Sequence, residues 1–146
     1  MMRRVAVPSV GPLQHGEARG TEQYALVIET EGLTHLQLTV RDLARSMAFY
    51  RSVFGMEEMY RDGPSMVFLR TPGARDTITL NADPSASGPS QGGVAHFGFR
   101  LKDRDRLEEA ITAVVEAGGR LVERGARPSG HAFAYVTDPD GYVIEL

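Results

Sequence analysis

The sequence contains no cysteine and no tryptophan, and only four histidines, His15, His35, His96 and His131. Without cysteine there are no disulfides, thiolate metal sites or cysteine nucleophiles, so any metal must be held by imidazole and carboxylate. No apolar run approaches the roughly 18–20 residues of a bilayer span, so no membrane partner is expected. The opening Met1-Met2-Arg3-Arg4 leads into Pro8, Gly11 and Pro12 rather than an apolar signal core, and a cytoplasmic location is expected. Basic residues are not in excess either. Sixteen Lys and Arg against 19 Asp and Glu give a net charge of −3, which argues against a nucleic-acid partner. What is present is 42% hydrophobic and 24% charged, an ordinary balance for a folded domain, and 146 residues suit one compact domain.

Residues 1–31 read as an N-terminal extension. Their first twenty lack periodicity, and Tyr24-Ala25-Leu26-Val27-Ile28 is a short apolar run of strand type. From residue 32 the chain follows one plan twice. Gly32-Leu33-Thr34-His35-Leu36-Gln37-Leu38 matches Gly93-Val94-Ala95-His96-Phe97-Gly98-Phe99, each a strand with histidine in the same place. An acidic cap follows, Asp42 or Asp103. Next comes a helical stripe, Leu43, Met47, Tyr50 and Phe54 before Gly55, or Leu107, Ile111 and Val114 before Gly118-Gly119. Three strand candidates complete each half: Met56–Arg61, Met66–Arg70 and Thr77–Asn81, then Arg120–Arg124, Ala132–Thr137 and Tyr142–Leu146. The fold expected is α+β: two βαβββ modules, 32–82 and 93–146, joined by the Pro-, Ser- and Gly-rich linker 83–92 into a single domain, 32–146. Its mixed sheet is expected to form a cup with the helices on the outer face.

Alternation along strands sorts the side chains. Leu36, Leu38 and Val40 oppose His35, Gln37 and Thr39; Phe97 and Phe99 oppose His96, Gly98 and Arg100; Tyr142, Ile144 and Leu146 oppose Val143 and Glu145. Packing the helices on the apolar face leaves His35, His96 and Glu145 on the concave side. Sliding Met66–Leu80 onto Ala132–Leu146 sets Thr79 opposite Glu145 in the repeat and Leu69 opposite Tyr135. Two imidazoles and one carboxylate leave metal positions open for substrate, an arrangement favoured by non-haem Fe(II) and usable by Mn, Ni, Co or Zn. Gly118-Gly119 reads as a helix stop, Asp138-Pro139-Asp140-Gly141 as a tight turn, and Arg41, Arg45 and Arg51 as a solvated helix face.

The paired modules, the phrase Phe49-Tyr50-Arg51-Ser52-Val53-Phe54-Gly55-Met56 and the segment Asp138–Leu146 resemble the vicinal oxygen chelate superfamily. That group includes glyoxalase I, extradiol dioxygenases, fosfomycin-resistance transferases and metal-free bleomycin-binding proteins. The resemblance implies metal ligands at His35, His96 and Glu145. Glyoxalase I adds a carboxylate where Thr79 stands, so the resemblance implies the three-ligand pattern of extradiol dioxygenases. Those enzymes carry a tyrosine in a Tyr-x-x-Asp-Pro-x-Gly phrase, which Tyr135 matches. His131 is a looser counterpart of their proton-transferring histidine. Fosfomycin transferases carry threonine where this chain has Gln37.

The activity the resemblance implies is dioxygenation of a small molecule with vicinal oxygens, with Fe(II) as metal, Tyr135 and His131 as catalytic groups, and Thr79, Gln37 and Phe133 lining the pocket. Val67 and Leu69 are expected to join Phe133 as an apolar wall. A glyoxalase-like isomerase or lyase, or a metal-free binding protein of the bleomycin-resistance kind, are the alternatives. A homodimer is expected, with the site either within one chain or shared between two.

Overall fold

The computed structural model describes Met2–Ala6, Tyr24–Ile28, 30–90 and 92–146. His15, with most of the expected extension, lies outside the described residues. Contacts divide the chain into two units, Met1–Leu33 and Thr34–Leu146. In the first, β1 (Met2–Ala6) pairs antiparallel with β2 (Tyr24–Ile28), Met2 opposite Ile28. The apolar run of β2 announced its strand; β1 carries no such signal.

The second unit repeats βαβββ. Its first module runs β3 (Leu36–Val40), α1 (Leu43–Phe54), β4 (Glu57–Asp62), β5 (Met66–Arg70) and β6 (Ile78–Ala82). The second runs β7 (Phe97–Gly98), a 3-10 turn at Arg104–Arg106, α2 (Leu107–Glu116), β8 (Arg120–Ala126), β9 (Ala132–Thr137) and β10 (Val143–Glu145). The strand orders, β3-β6-β5-β4 and β7-β10-β9-β8, are the same order under the repeat. In each, the first and last strands of the module pair in parallel and the other pairings are antiparallel. The expected α+β class and its two modules are therefore observed.

Local chemistry sets the helix ends. The Asp42 carboxylate accepts from the Arg45 N–H at 3.0 Å, and Gly55 ends α1 at φ 64°, a left-handed conformation that glycine adopts without strain. Asp103 caps the 3-10 turn rather than α2 itself. Among the described residues, no helix is long and apolar enough to cross a membrane.

α1 packs on β6, α2 packs on β8 and β9, and the two helices touch. The modules share one apolar core that includes Leu38, Val40, Phe49, Tyr50, Val67, Leu69, Leu80, Val114, Val136 and Ile144. Phe54 stacks on Phe99 across the module boundary, with ring centroids 4.0 Å apart. Gly119 lies where backbones nearly touch, since a Cβ there would stand 2.2 Å from the Thr137 carbonyl oxygen.

The turn between β9 and β10 latches the modules together. Asp138 Oδ1 accepts the N–H groups of Asp140, Gly141 and Tyr142, each at 2.9 Å, and Oδ2 accepts the Tyr50 hydroxyl at 2.9 Å. Asp140 accepts from the Arg41 N–H and Nε, from Arg45 and from Ser46, at 2.9–3.1 Å. The Tyr142 hydroxyl accepts from the Thr39 N–H and donates to the Thr39 carbonyl. Arg41 and Arg45 are thus not merely a solvated face. Each is nearly half exposed, and each reaches the buried Asp140 carboxylate.

Candidate metal centre

The strand register decides which side chains meet. Across the second sheet Gly98, Glu145, Tyr135 and Glu123 stand in one row. Across the first, the matching row is Gln37, Thr79, Phe68 and Tyr60. Glu145 and Thr79 are therefore equivalent, as the repeat implied.

The counterpart of Tyr135 is Phe68, not the expected Leu69. Separation along the chain between the paired residues is one greater for Phe68 and Thr79 than for Tyr135 and Glu145, so a fixed offset slips by one. A one-residue slip exchanges faces. Val67 and Leu69 accordingly lie wholly in the core instead of forming a pocket wall, while Phe68 stacks on Tyr60 at 4.2 Å.

His96 stands just before β7 and Glu145 at the end of β10, and the parallel pairing of these strands brings His96 Nε2 within 3.1 Å of Glu145 Oε2. Their side chains are 39% and 24% exposed, half-open to an incoming ion. Two ligands bound at right angles, each about 2.1 Å from a divalent cation, stand roughly 3 Å apart, so this pair fits two adjacent positions of one metal. His35 is not brought to them. It lies exposed ahead of β3, its Nδ1 2.9 Å from Thr34 Oγ1. Among the described residues no three His, Asp or Glu side chains converge on a common position.

Around the pair, the Tyr135 ring lies 5.0 Å from the His96 ring and 5.5 Å from Phe133. Gln37 is exposed and lines a groove of about 710 Å³ together with His96 and Val143. Thr79 is fully buried, its hydroxyl without a partner. His131 is exposed at the end of the β8–β9 hairpin, with Ser129 Oγ 3.1 Å from its Nδ1.

One residue of the site was missed in the sequence. The Arg127 guanidinium pairs with Glu145 Oε1 and lies over the Phe133 ring at 5.2 Å. The Arg127 N–H also donates to the His131 carbonyl at 2.8 Å, closing the hairpin. The signal was available: Pro128-Ser129-Gly130 is a turn sequence, and a turn there sets Arg127 opposite His131, on the face that His131 shares with Phe133 and Tyr135.

The sequence pattern of the Glyoxalase/Bleomycin resistance protein/Dioxygenase superfamily matches residues 32–146. The chain is 31% identical over 121 residues to a catechol-2,3-dioxygenase of Bacillus subtilis, covering 81% of this chain and 41% of that one. It is 31% identical over 122 residues to a lactoylglutathione lyase of Neisseria meningitidis serogroup A, covering 78% of this chain and 88% of that one. The crystal structure of a glyoxalase-related enzyme from Fulvimarina pelagi superposes with a TM-score of 0.66 at 23% identity, over 80% of this chain and 86% of that one. With the doubled βαβββ plan and its matching strand orders, these likenesses establish that the chain belongs to the Glyoxalase/Bleomycin resistance protein/Dioxygenase superfamily.

Proposed function

We propose that this chain is a metal-dependent dioxygenase acting on a small molecule with vicinal oxygens, and that its metal is held by His96, Glu145 and His35 of the partner subunit in a homodimer. The observation that carries the reading is the 3.1 Å approach of His96 Nε2 to Glu145 Oε2. Two donors from one chain fall short of the three that protein metal sites with open positions use. His35 is exposed and free of its own chain's pair, so a second copy is its route to the site. Leu33 and Val94, equivalent in the repeat and just ahead of the two histidines, are 88% and 70% exposed, as residues at an association surface would be.

His96 and Glu145, with His35 of the partner subunit, would hold a divalent ion, Fe(II) preferred, which would supply Lewis acidity toward a chelating diol and its co-substrate. The chain's groups do the remainder. Glu145 supplies the anionic donor and fixes the charge of the centre. Tyr135, beside His96, bounds the space above the pair and positions the substrate's oxygens. Phe133 and Gln37 shape the walls, and His131, at the hairpin end, takes and returns protons. Thr79 keeps the mirrored position free of a fourth anionic donor. The metal content of untagged, anaerobically purified protein is expected near one Fe per chain, lost in His96→Ala, with oxygen uptake on catechols lost in parallel. Uptake that survives His96→Ala overturns the proposal. A folded protein that takes up no metal even when supplemented turns the reading to metal-free ligand binding.

The shared site has its own test. Mixing Glu145→Ala and His35→Ala chains, each inactive alone, is expected to restore about one quarter of the sites, because half the dimers are mixed and each mixed dimer holds one intact set. No recovery on subunit exchange places all donors in one chain.

The likeness to the Neisseria lyase supports a second reading, a glyoxalase-like isomerase or lyase. The chain spans 41% of the length of the Bacillus dioxygenase and 88% of that of the Neisseria lyase. On this reading the same residues would hold Ni, Co or Zn, which would supply Lewis acidity toward a carbonyl. Turnover of a hemithioacetal under nitrogen, with no oxygen uptake on catechols, decides for it.

A further inference from the structure

Beside Glu145 a second groove, of about 680 Å³, opens between the 3-10 turn and the β8–β9 hairpin. Its volume lies within the range of small-molecule sites. Phe133 and Leu146 give it apolar walls, and three arginines, Arg100, Arg104 and Arg127, stand around it. Arg127 pairs with Glu145, while Arg100 and Arg104 have no carboxylate partner among the described residues. Against the three cations the lining holds two carboxylates, Asp105 and Glu145. On a chain of net charge −3 this is a local reversal of sign.

We infer that this groove is an anion subsite, in which Arg100 and Arg104 receive a carboxylate or phosphate carried by the substrate at the end away from its chelating oxygens. Planar guanidinium forks match either anion, and the apolar walls fit a ring or short chain between the anion and the metal. The inference rests on the reading that Glu145 belongs to the reaction centre, and it deepens that reading by naming the substrate class: an anionic, partly apolar molecule with two adjacent oxygens.

The test uses benzoate, phenyl phosphate and neutral benzyl alcohol, titrated calorimetrically into metal-free protein at low salt. Either anion, or both, is expected to bind at least about tenfold tighter than benzyl alcohol, the preferred one identifying the headgroup. That preference is expected to fall to within about twofold in Arg100→Gln/Arg104→Gln and to persist in Arg75→Gln, an exposed arginine outside the groove lining. Equal binding of anions and alcohol by the native chain, or an undiminished preference in the double variant, overturns the inference. The dioxygenase reading fails separately: metal-loaded protein that keeps the anion preference yet consumes no oxygen with 3,4-dihydroxybenzoate retains the subsite and loses that chemistry.

Discussion

Replacing Asp140 by alanine is expected to lower the free energy of unfolding by about 3 kcal/mol, a large share of the ~5–15 kcal/mol that holds a domain folded. The Asp140 side chain is 1% exposed and accepts four hydrogen bonds, two from Arg41 and one each from Arg45 and Ser46. Its removal strands the buried Ser46 hydroxyl and the Arg41 N–H. Both guanidinium groups are nearly half exposed and regain water, which keeps the loss at the lower end of the range for broken buried pairs. Urea denaturation reads the effect, and a loss below about 1 kcal/mol would show that the latch is incidental.

The pH dependence has a definite sign. Burial pushes the Asp140 carboxyl up, but the hydrogen bonds from Arg41 and Ser46 and the charge of Arg45 outweigh it and hold the group below the usual carboxylate range. Its stabilisation is therefore complete above the unfolded pKa of about 3.9 and is lost as pH falls through the lower folded value. Asp138 is opposite. Burial raises it despite the Tyr50 hydrogen bond, so its ionisation costs stability and acid relieves that cost. Asp140→Ala should accordingly flatten the acid limb of the stability profile.

Gly119→Ala is expected to cost about 3 kcal/mol or more, by forcing overpacking at a backbone contact. A Cβ at this position would meet the Thr137 carbonyl at 2.2 Å, Val114 Cγ1 at 2.6 Å and the Phe49 ring at 3.1 Å. The Val114 methyl can rotate, but a carbonyl in a strand cannot move without breaking its pairing. The neighbouring Gly118 is the control. Its φ of 93° strains any side chain, yet a Cβ there meets nothing within 4 Å, so Gly118→Ala should cost only about 1 kcal/mol. Melting temperatures in the reverse order would mean that α2 can slide away from β9.

Alternation and capping made much of the domain legible. β5 and β9 fall at the expected residues, α1 lies between the expected Asp42 and Gly55, and the repeat alone makes Thr79 and Glu145 equivalent, as the strand registers have them. The failures share a physical origin. Phe68 was misplaced because repeat alignment assumes equal loops, and one loop had gained a residue. Arg41 and Arg45 read as solvent-facing because helical periodicity reports only on α1 and the residues leading into it, whereas Asp140 lies more than ninety residues along the chain. Arg127 belongs to no motif, and its meeting with Glu145 exists only once the hairpin closes. The proximity of His96 and Glu145 followed from parity plus the pairing of β7 with β10, but parity could not say whether His35 joins them, since it sorts faces and not distances.

The latch also governs the order in which the molecule can assemble. Hydrogen bonds from the Thr39 N–H to Tyr142, from the Ser46 hydroxyl to Asp140 and from the Tyr50 hydroxyl to Asp138 bridge 103, 94 and 88 residues. Local hairpins can form early, but the buried Tyr50 and Ser46 hydroxyls have no acceptor until the β9–β10 turn arrives, so each half is a template the other must find. Formation of the latch thus waits on a long loop closure beyond those within each module. A backbone break in the linker between Asp83 and Ser90 would turn that closure into a bimolecular encounter, making the protein a natural pair of complementing fragments whose reassociation reports directly on the latch.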